Sequence, residues 1–140
     1  AMGMGIPAGI AAALRFPDRQ VYSIVGDGGA LMTGSELATA VAQKAKIRVI
    51  VANNNHYGTI RYHQEVHFPT RDHYATNLVN PDFAKYGESF GLKCFTIYNT
   101  EEILPTIKSA MEVDGPSLIE FKMSLELNTS TTTISQLQTN

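Results

Sequence analysis

Asp27, set between Gly26 and Gly28, and Asn54, second of the pair Asn53-Asn54 that begins after 24 intervening residues, are the side chains best suited to hold a hard cation. The first motif follows the apolar run Val21 to Val25 and the second follows Ile47 to Ala52, so each sits where a strand should end. Successive parallel strands of an open α/β sheet end on one edge, and ligands bind in the crevice outside those carboxyl ends. A carboxylate and an amide oxygen brought together there suit octahedral Mg²⁺, which is commonly completed by water and phosphate oxygens. Gly28 and Gly29 open the next segment and leave backbone N–H groups bare for an anion. The site so read binds a metal diphosphate. A blander explanation is that both motifs are turns built from residues that tolerate positive φ.

The elements that must position these residues alternate. Gly5 to Phe16 is Ala-rich and predicts a helix ended by Pro17-Asp18, followed by the strand Val21 to Val25. A helix capped by Thr33 or Ser35 and running to about Lys46 would bury Leu37, Val41 and the alanines at 38, 42 and 45. Ile47 to Ala52 shows little alternation, as a parallel strand covered on both faces should. Helices over Pro81 to Phe90, capped by Asn80, and Thr100 to Val113, capped by Thr100, bracket the strand Leu92 to Ile97. Ser117 to Met123 supplies the last strand. The pattern predicts a three-layer, doubly wound α/β sheet, mainly parallel, with helices on both faces. Residues 1–125 form the domain and 126–140 a polar tail with Thr133 or Ser135 as the candidate cap of a short helix; the tail reads as a disordered terminus or, alternatively, as a lid.

Gly26-Asp27-Gly28 through Asn53-Asn54, with Met32-Thr33, Glu36 to Ala40, Tyr57-Gly58, Ile60-Arg61 and Gln64, resembles the thiamine-diphosphate enzymes of the acetolactate synthase, pyruvate oxidase and 2-oxoacid decarboxylase branch. The likeness covers nearly the whole chain. It implies that Asp27 and Asn54 bind Mg²⁺ through side-chain oxygens and His56 through its main-chain carbonyl. It also implies that Gly26, Gly28, Gly29, Tyr57 and Gly58 contact thiamine diphosphate. Met2 falls where this family places the bulky apolar wedge that folds the cofactor into a V; the alternative is a mere terminal residue. The family's catalytic glutamate belongs to a pyrimidine-binding domain that nothing here resembles, so no catalytic residue is assigned. The resemblance therefore implies a fragment that is inactive alone, needs that domain from the same or a partner chain, and self-associates through an exposed contact face.

His63 stands where the resembled acetolactate synthases carry a tryptophan near the substrate channel, which leaves the identity of the 2-oxo acid and its acceptor open. Gln64 keeps the family pattern and could line the same helix. The four histidines, His56, His63, His67 and His73, lack the Glu and Cys spacing of a zinc site. Glu36 reads as a helix-dipole partner rather than an acid. Cys94 is alone, which forbids an internal disulfide and favours a reducing, cytoplasmic compartment; it reads as a buried thiol.

With 140 residues, 44% hydrophobic and 17% charged, the chain can bury one core. A net charge of −2 argues against a nucleic-acid partner, and no apolar run of membrane-spanning length occurs. Three readings remain: an enzyme domain, a non-catalytic module keeping the fold, and an unrelated nucleotide binder. The last is disfavoured because no Gly-x-Gly-x-x-Gly follows a strand.

Overall fold

Four short, largely apolar runs pair into one sheet in the computed structural model, which describes residues 2–68, 70–126 and 133–138. They are β1 (Val21–Gly26), β2 (Ile47–Asn53), β3 (Lys93–Ile97) and β4 (Ser117–Lys122). The order is β1-β2-β4-β3 and every pairing is parallel. Because β1 and β2 are neighbours, with Gly26 opposite Ala52, Asp27 and the Asn53-Asn54 pair leave the sheet on the same edge.

The pleat sends alternate residues to two cores. Ile47, Val49, Val51 and Leu118 join Ile6, Ile10, Leu37 and Phe83 on one face; Ile97 and Ile119 meet Ala110 on the other. Each such side chain contributes about 1.5–3 kcal/mol by leaving water. Helices α1 (Gly5–Arg15), α2 (Asp27–Thr33), α3 (Leu37–Ala42) and α5 (Phe83–Ser89) supply the first face, and α6 (Ile103–Met111) the second. The three-layer arrangement is therefore as read, but the second layer stops short of β1, where Tyr22 and Ile24 are 43% and 73% exposed. A Cβ on Gly5 would lie 2.3 Å from Val25 Cγ1, and one on Gly9 2.5 Å from Ile47 Cδ1. These glycines let α1 press onto the sheet, which carries Met2 and Gly3 to the edge where Asp27 emerges.

Several boundaries differ from the sequence reading. The helix placed after Thr33 begins instead at Asp27, breaks into a 3₁₀ turn at Gly34–Glu36 and resumes as α3. Of the two caps expected there, Thr33 makes no side-chain cap bond and Ser35 lies inside the 3₁₀ turn rather than at a helix start. The new phase buries Leu37 and Ala40 and turns Ala38 and Ala42 to solvent. Helix α5 starts at Phe83 with Asp82 as its cap, Oδ1 accepting from Lys85 N–H at 3.0 Å, so Asn80 is released from the role assigned to it. Asn99, not Thr100, caps the turn before α6 by accepting from Glu102 N–H at 3.2 Å. Helix α7 (Ile134–Gln138) begins at Thr133, whose Oγ1 accepts from Gln136 N–H while Gln136 Oε1 accepts from Thr133 N–H. It lies against α4 (Gly58–His67) with Ile134 buried. The polar run at 128–132 lies outside the described residues.

Arg48 is buried in β2, 1% exposed, and was not anticipated. Its guanidinium donates to the carbonyls of Gly115 and, at 2.7 Å, Val113, tying β2 to the turn before β4. Loss of water around it pushes its pKa below the ordinary arginine value.

Candidate functional site

Gly26 ends β1 in extended conformation and Asp27 opens α2, so the strand-to-helix turn presents the carboxylate at the sheet edge. Asp27 is 2% exposed. Its Oδ1 accepts from Gly28 N–H at 2.9 Å and its Oδ2 from Asn80 Nδ2 at 2.7 Å. Both donors are neutral, and none of the four ion pairs among the described residues includes Asp27. A buried carboxylate without a counter-charge is costly. A divalent cation would remove that cost, and the donor set around Asp27 is made of oxygens that such a cation takes.

Those oxygens come from the end of β2. Asn53 Oδ1 and Asn55 Oδ1 lie 2.9 and 3.1 Å from Asn80 Nδ2, next to Asp27 Oδ2. An amide nitrogen carries only two hydrogens, so it cannot serve all three acceptors. Asn80 Oδ1 is meanwhile buried with no hydrogen-bond partner. Asn54 sits one step further along; its Oδ1 accepts from His56 N–H at 3.1 Å, and His56 Nδ1 lies 3.1 Å from the Asn54 carbonyl. The turn is completed by Asn55 in the left-handed region at φ 57°. From there Tyr57 N–H donates to Thr76 O and Leu78 N–H to Asn55 O, both at 2.8 Å, so residues 76–78 run back along the turn and deliver Asn80 to it.

A cavity of about 420 Å³ opens beside this cluster, within the range of small-molecule sites. Met2, Gly26, Asp27, Gly28, Gly29, His56, Tyr57 and Gly58 line it, together with Ile24 and Ile60. Asn54 is not in the lining. The glycines differ in what they need. Gly28 is demanded by packing, since a Cβ there would lie 2.4 Å from Tyr57 Cε1. Gly26 and Gly29 have no positive φ, and a Cβ on either would meet nothing within 4 Å. Turn geometry therefore does not account for these two; they keep a wall of the cavity open to close approach by whatever fills it.

His63 and Gln64 lie on α4 beyond that lining. His63 is exposed, edge-on to Tyr62 and stacked on His67 with ring centres 5.7 Å apart. Gln64 instead fastens a loop, donating to Tyr74 O at 2.9 Å and accepting from Tyr74 N–H at 3.0 Å. Arg61 and Glu65 form a buried ion pair one turn apart on the same helix. Among the described residues no group of three His, Cys, Asp or Glu side chains converges on a metal position. The Cys94 thiol is pushed up to about 11, chiefly by burial, which suppresses its thiolate at neutral pH.

Sequence reasoning missed Asn53 as a bridge, Asn80 and Glu120. Glu120 is 1% exposed, accepts from Asn53 Nδ2 at 2.6 Å and pairs with Lys122 Nζ at 2.7 Å. A carboxylate in the otherwise apolar run Leu118 to Phe121 was the available signal.

Residues 1–121 match the family model described as thiamine pyrophosphate enzyme, C-terminal TPP binding domain. YdaP of Bacillus subtilis, named as thiamine pyrophosphate-containing, is 38% identical over 125 residues, covering 89% of this chain and 21% of that protein. The acetolactate synthase large subunit of Porphyra purpurea is 32% identical over 124 residues, covering 88% and 21%. A solved structure, the thiamine diphosphate-dependent 4-hydroxybenzoylformate decarboxylase of Rhodococcus jostii RHA1, superposes with a TM-score of 0.82 at 31% identity, covering 88% of this chain and 23% of that one. The chain thus spans about a fifth of the curated relatives it matches.

Proposed function

The chain belongs to the thiamine pyrophosphate enzyme family as its C-terminal TPP-binding domain, and from that premise we propose that it holds thiamine diphosphate with Mg²⁺ for a 2-oxoacid decarboxylase or carboligase of the acetolactate synthase kind. The observation that carries the reading is the pair Gly26 and Gly29, glycines that neither backbone strain nor packing requires, on the wall of a cavity that the buried Asp27 carboxylate also lines.

In this reading Asp27 and Asn54 supply side-chain oxygens and His56 a carbonyl oxygen to Mg²⁺. Asn54 Oδ1 accepts from His56 N–H and keeps its second lone pair for the metal. Gly29, in the first turn of α2, would hold the diphosphate through its backbone N–H, beside Gly28, whose own N–H Asp27 Oδ1 accepts. Met2, 53% exposed, and Ile24 offer apolar surface for the rings. When bound, the cofactor supplies the electron sink for cleaving or forming a bond next to a 2-oxo group. Tyr57 and Gly58 at the start of α4 exclude water from one side of the cavity, and His63 and Gln64 on the same helix stand further out on the path a substrate would take.

In the resembled enzymes the activating glutamate comes from a pyrimidine-binding domain, and we propose that such a domain, from the same or a partner chain, completes the site, so that residues 1–140 alone do not turn over a 2-oxo acid. The uncovered stretch of β1 and the exposed Met4 and Ile24 favour that domain, or a second copy carrying it, as the cover. Calorimetry with thiamine diphosphate, ADP and NAD, each with and without Mg²⁺, tests the reading. Heat of binding is expected only for thiamine diphosphate with Mg²⁺; equal binding of ADP would transfer the site to nucleotides.

A further inference from the structure

We infer that Asn80 is the positioning residue of the metal site: its side-chain amide fixes the Asp27 carboxylate for the cation, and a chain of hydrogen bonds through the buried Asn53 and Glu120 to Lys122 at the surface holds that amide in turn. The inference rests on the reading of Asp27 as a metal ligand and names a residue that reading does not include.

The orientations follow from donors and acceptors alone. Glu120 Oε1 accepts from Asn53 Nδ2 at 2.6 Å and is neutralised by Lys122 Nζ at 2.7 Å. That bond obliges Asn53 to turn its oxygen the other way, where it accepts from Asn55 N–H at 3.1 Å and from Asn80 Nδ2 at 2.9 Å. Asn80 therefore faces three acceptors, Asp27 Oδ2, Asn53 Oδ1 and Asn55 Oδ1, and only its NH₂ end can meet them. The opposite orientation would set oxygen against oxygen at 2.7 to 3.1 Å. With Gly28 N–H on Oδ1 and Asn80 on Oδ2, both oxygens of Asp27 are held and the carboxylate plane has one setting.

Asn80 reaches this place because it is kept out of a helix. Pro81 follows it and disfavours helical backbone at the preceding residue, while Asp82 takes over the cap of α5. The pairing of residues 76–78 with 55–57 then sets the amide against the cluster. Partners that orient metal ligands commonly change metal affinity 10- to 100-fold when removed.

The test is Mn²⁺ affinity, read from the free-ion electron paramagnetic signal in the presence of thiamine diphosphate, for the wild type and for Asn80→Ala, Asp82→Ala and Asp27→Ala. Asp82→Ala is the structural control, because it removes the α5 cap two residues away without touching the oxygen cluster. Asn80→Ala is expected to raise the Mn²⁺ dissociation constant at least tenfold, whereas Asp82→Ala lowers the melting temperature and keeps the constant within twofold. Should Asn80→Ala fail to fold, Asn80→Ser, polar but too short to reach Asp27, is expected to show the same weakening. Wild-type affinity in a folded Asn80 variant overturns the proposal, as does a loss in both Asn80 and Asp82 variants that merely follows their stability. Asp27→Ala separates the two levels: if it binds Mn²⁺ like the wild type, the metal assignment itself fails; if it loses Mn²⁺ while the Asn80 variants do not, only the role of Asn80 falls.

Discussion

Replacing Gly29 by alanine should stabilise the chain and damage cofactor binding at once, a combination that only a backbone kept bare for a ligand produces. Gly29 lies in the first turn of α2 without positive φ, and a Cβ there has no heavy atom within 4 Å. Alanine therefore meets no clash and reduces the freedom of the unfolded chain, worth about 0.5–1 kcal/mol. For a domain of this size that is roughly a 1–4 °C rise in melting temperature. Gly29 lines the cavity, so a methyl on it would keep ligand atoms about 3.5–4 Å from its carbon. We expect the dissociation constant of Mg²⁺ thiamine diphosphate to rise about tenfold or more, equivalent to about 1.4 kcal/mol. Gly28→Ala is the contrasting variant. Its Cβ would lie 2.4 and 2.7 Å from Tyr57 Cε1 and Cδ1, and such overpacking costs about 1–3 kcal/mol of stability. Thermal melts and calorimetry on the two variants decide the matter. A Gly29→Ala protein that binds cofactor as the wild type does would show that no ligand approaches this backbone, and one destabilised like Gly28→Ala would show that the space is not open.

Two further perturbations probe the frame around the site. Arg48→Met deletes the donors to the Gly115 and Val113 carbonyls, and urea unfolding should show a loss of about 2–4 kcal/mol; a loss under about 0.5 kcal/mol would mean those carbonyls find other partners. The Cys94 thiol, raised to about 11 from an unfolded value near 9.0, keeps its proton longer in the native state. Its contribution to stability is thus complete below about pH 9 and declines as the pH rises toward 11, because the unfolded chain ionises first. Native protein at pH 8 should react with a thiol reagent at least tenfold more slowly than protein in denaturant, and equal rates would refute the burial argument.

The strands were legible as short apolar runs, β2 most clearly because its lack of alternation marks a parallel strand covered on both faces, and the ends of β1 and β2 located Asp27 and the asparagine pair at one edge. Helix starts were less legible where two residues could compete for one role. Asn80 and Asp82 both suit a cap, and only the loop pairing at 55–57 and 76–78 shows which of them is spent elsewhere. Low helix propensity at Gly28 and Gly29 hid the start of α2 and shifted the phase of α3, so Ala40 rather than Ala38 and Ala42 faces the core. The polar interior was hardest to foresee. Arg48 donates to backbone carbonyls more than 60 residues away, and Glu120 accepts from Asn53, 67 residues away, partners that a local pattern does not join. The cavity lining was readable mainly through the family resemblance; His63 and Gln64, placed by the same route, stand outside it.

The central claim is that Asp27 carries the metal of a bound diphosphate. A crystal of the protein grown with Mn²⁺ and thiamine diphosphate tests it most directly, through the anomalous scattering of the ion. The account predicts a peak at coordination distance, about 2.0–2.3 Å, from an Asp27 carboxylate oxygen, with the diphosphate against the backbone of Gly29. Diphosphate bound in the cavity with the ion ligated elsewhere, or with Asp27 still held only by Gly28 and Asn80, would contradict it.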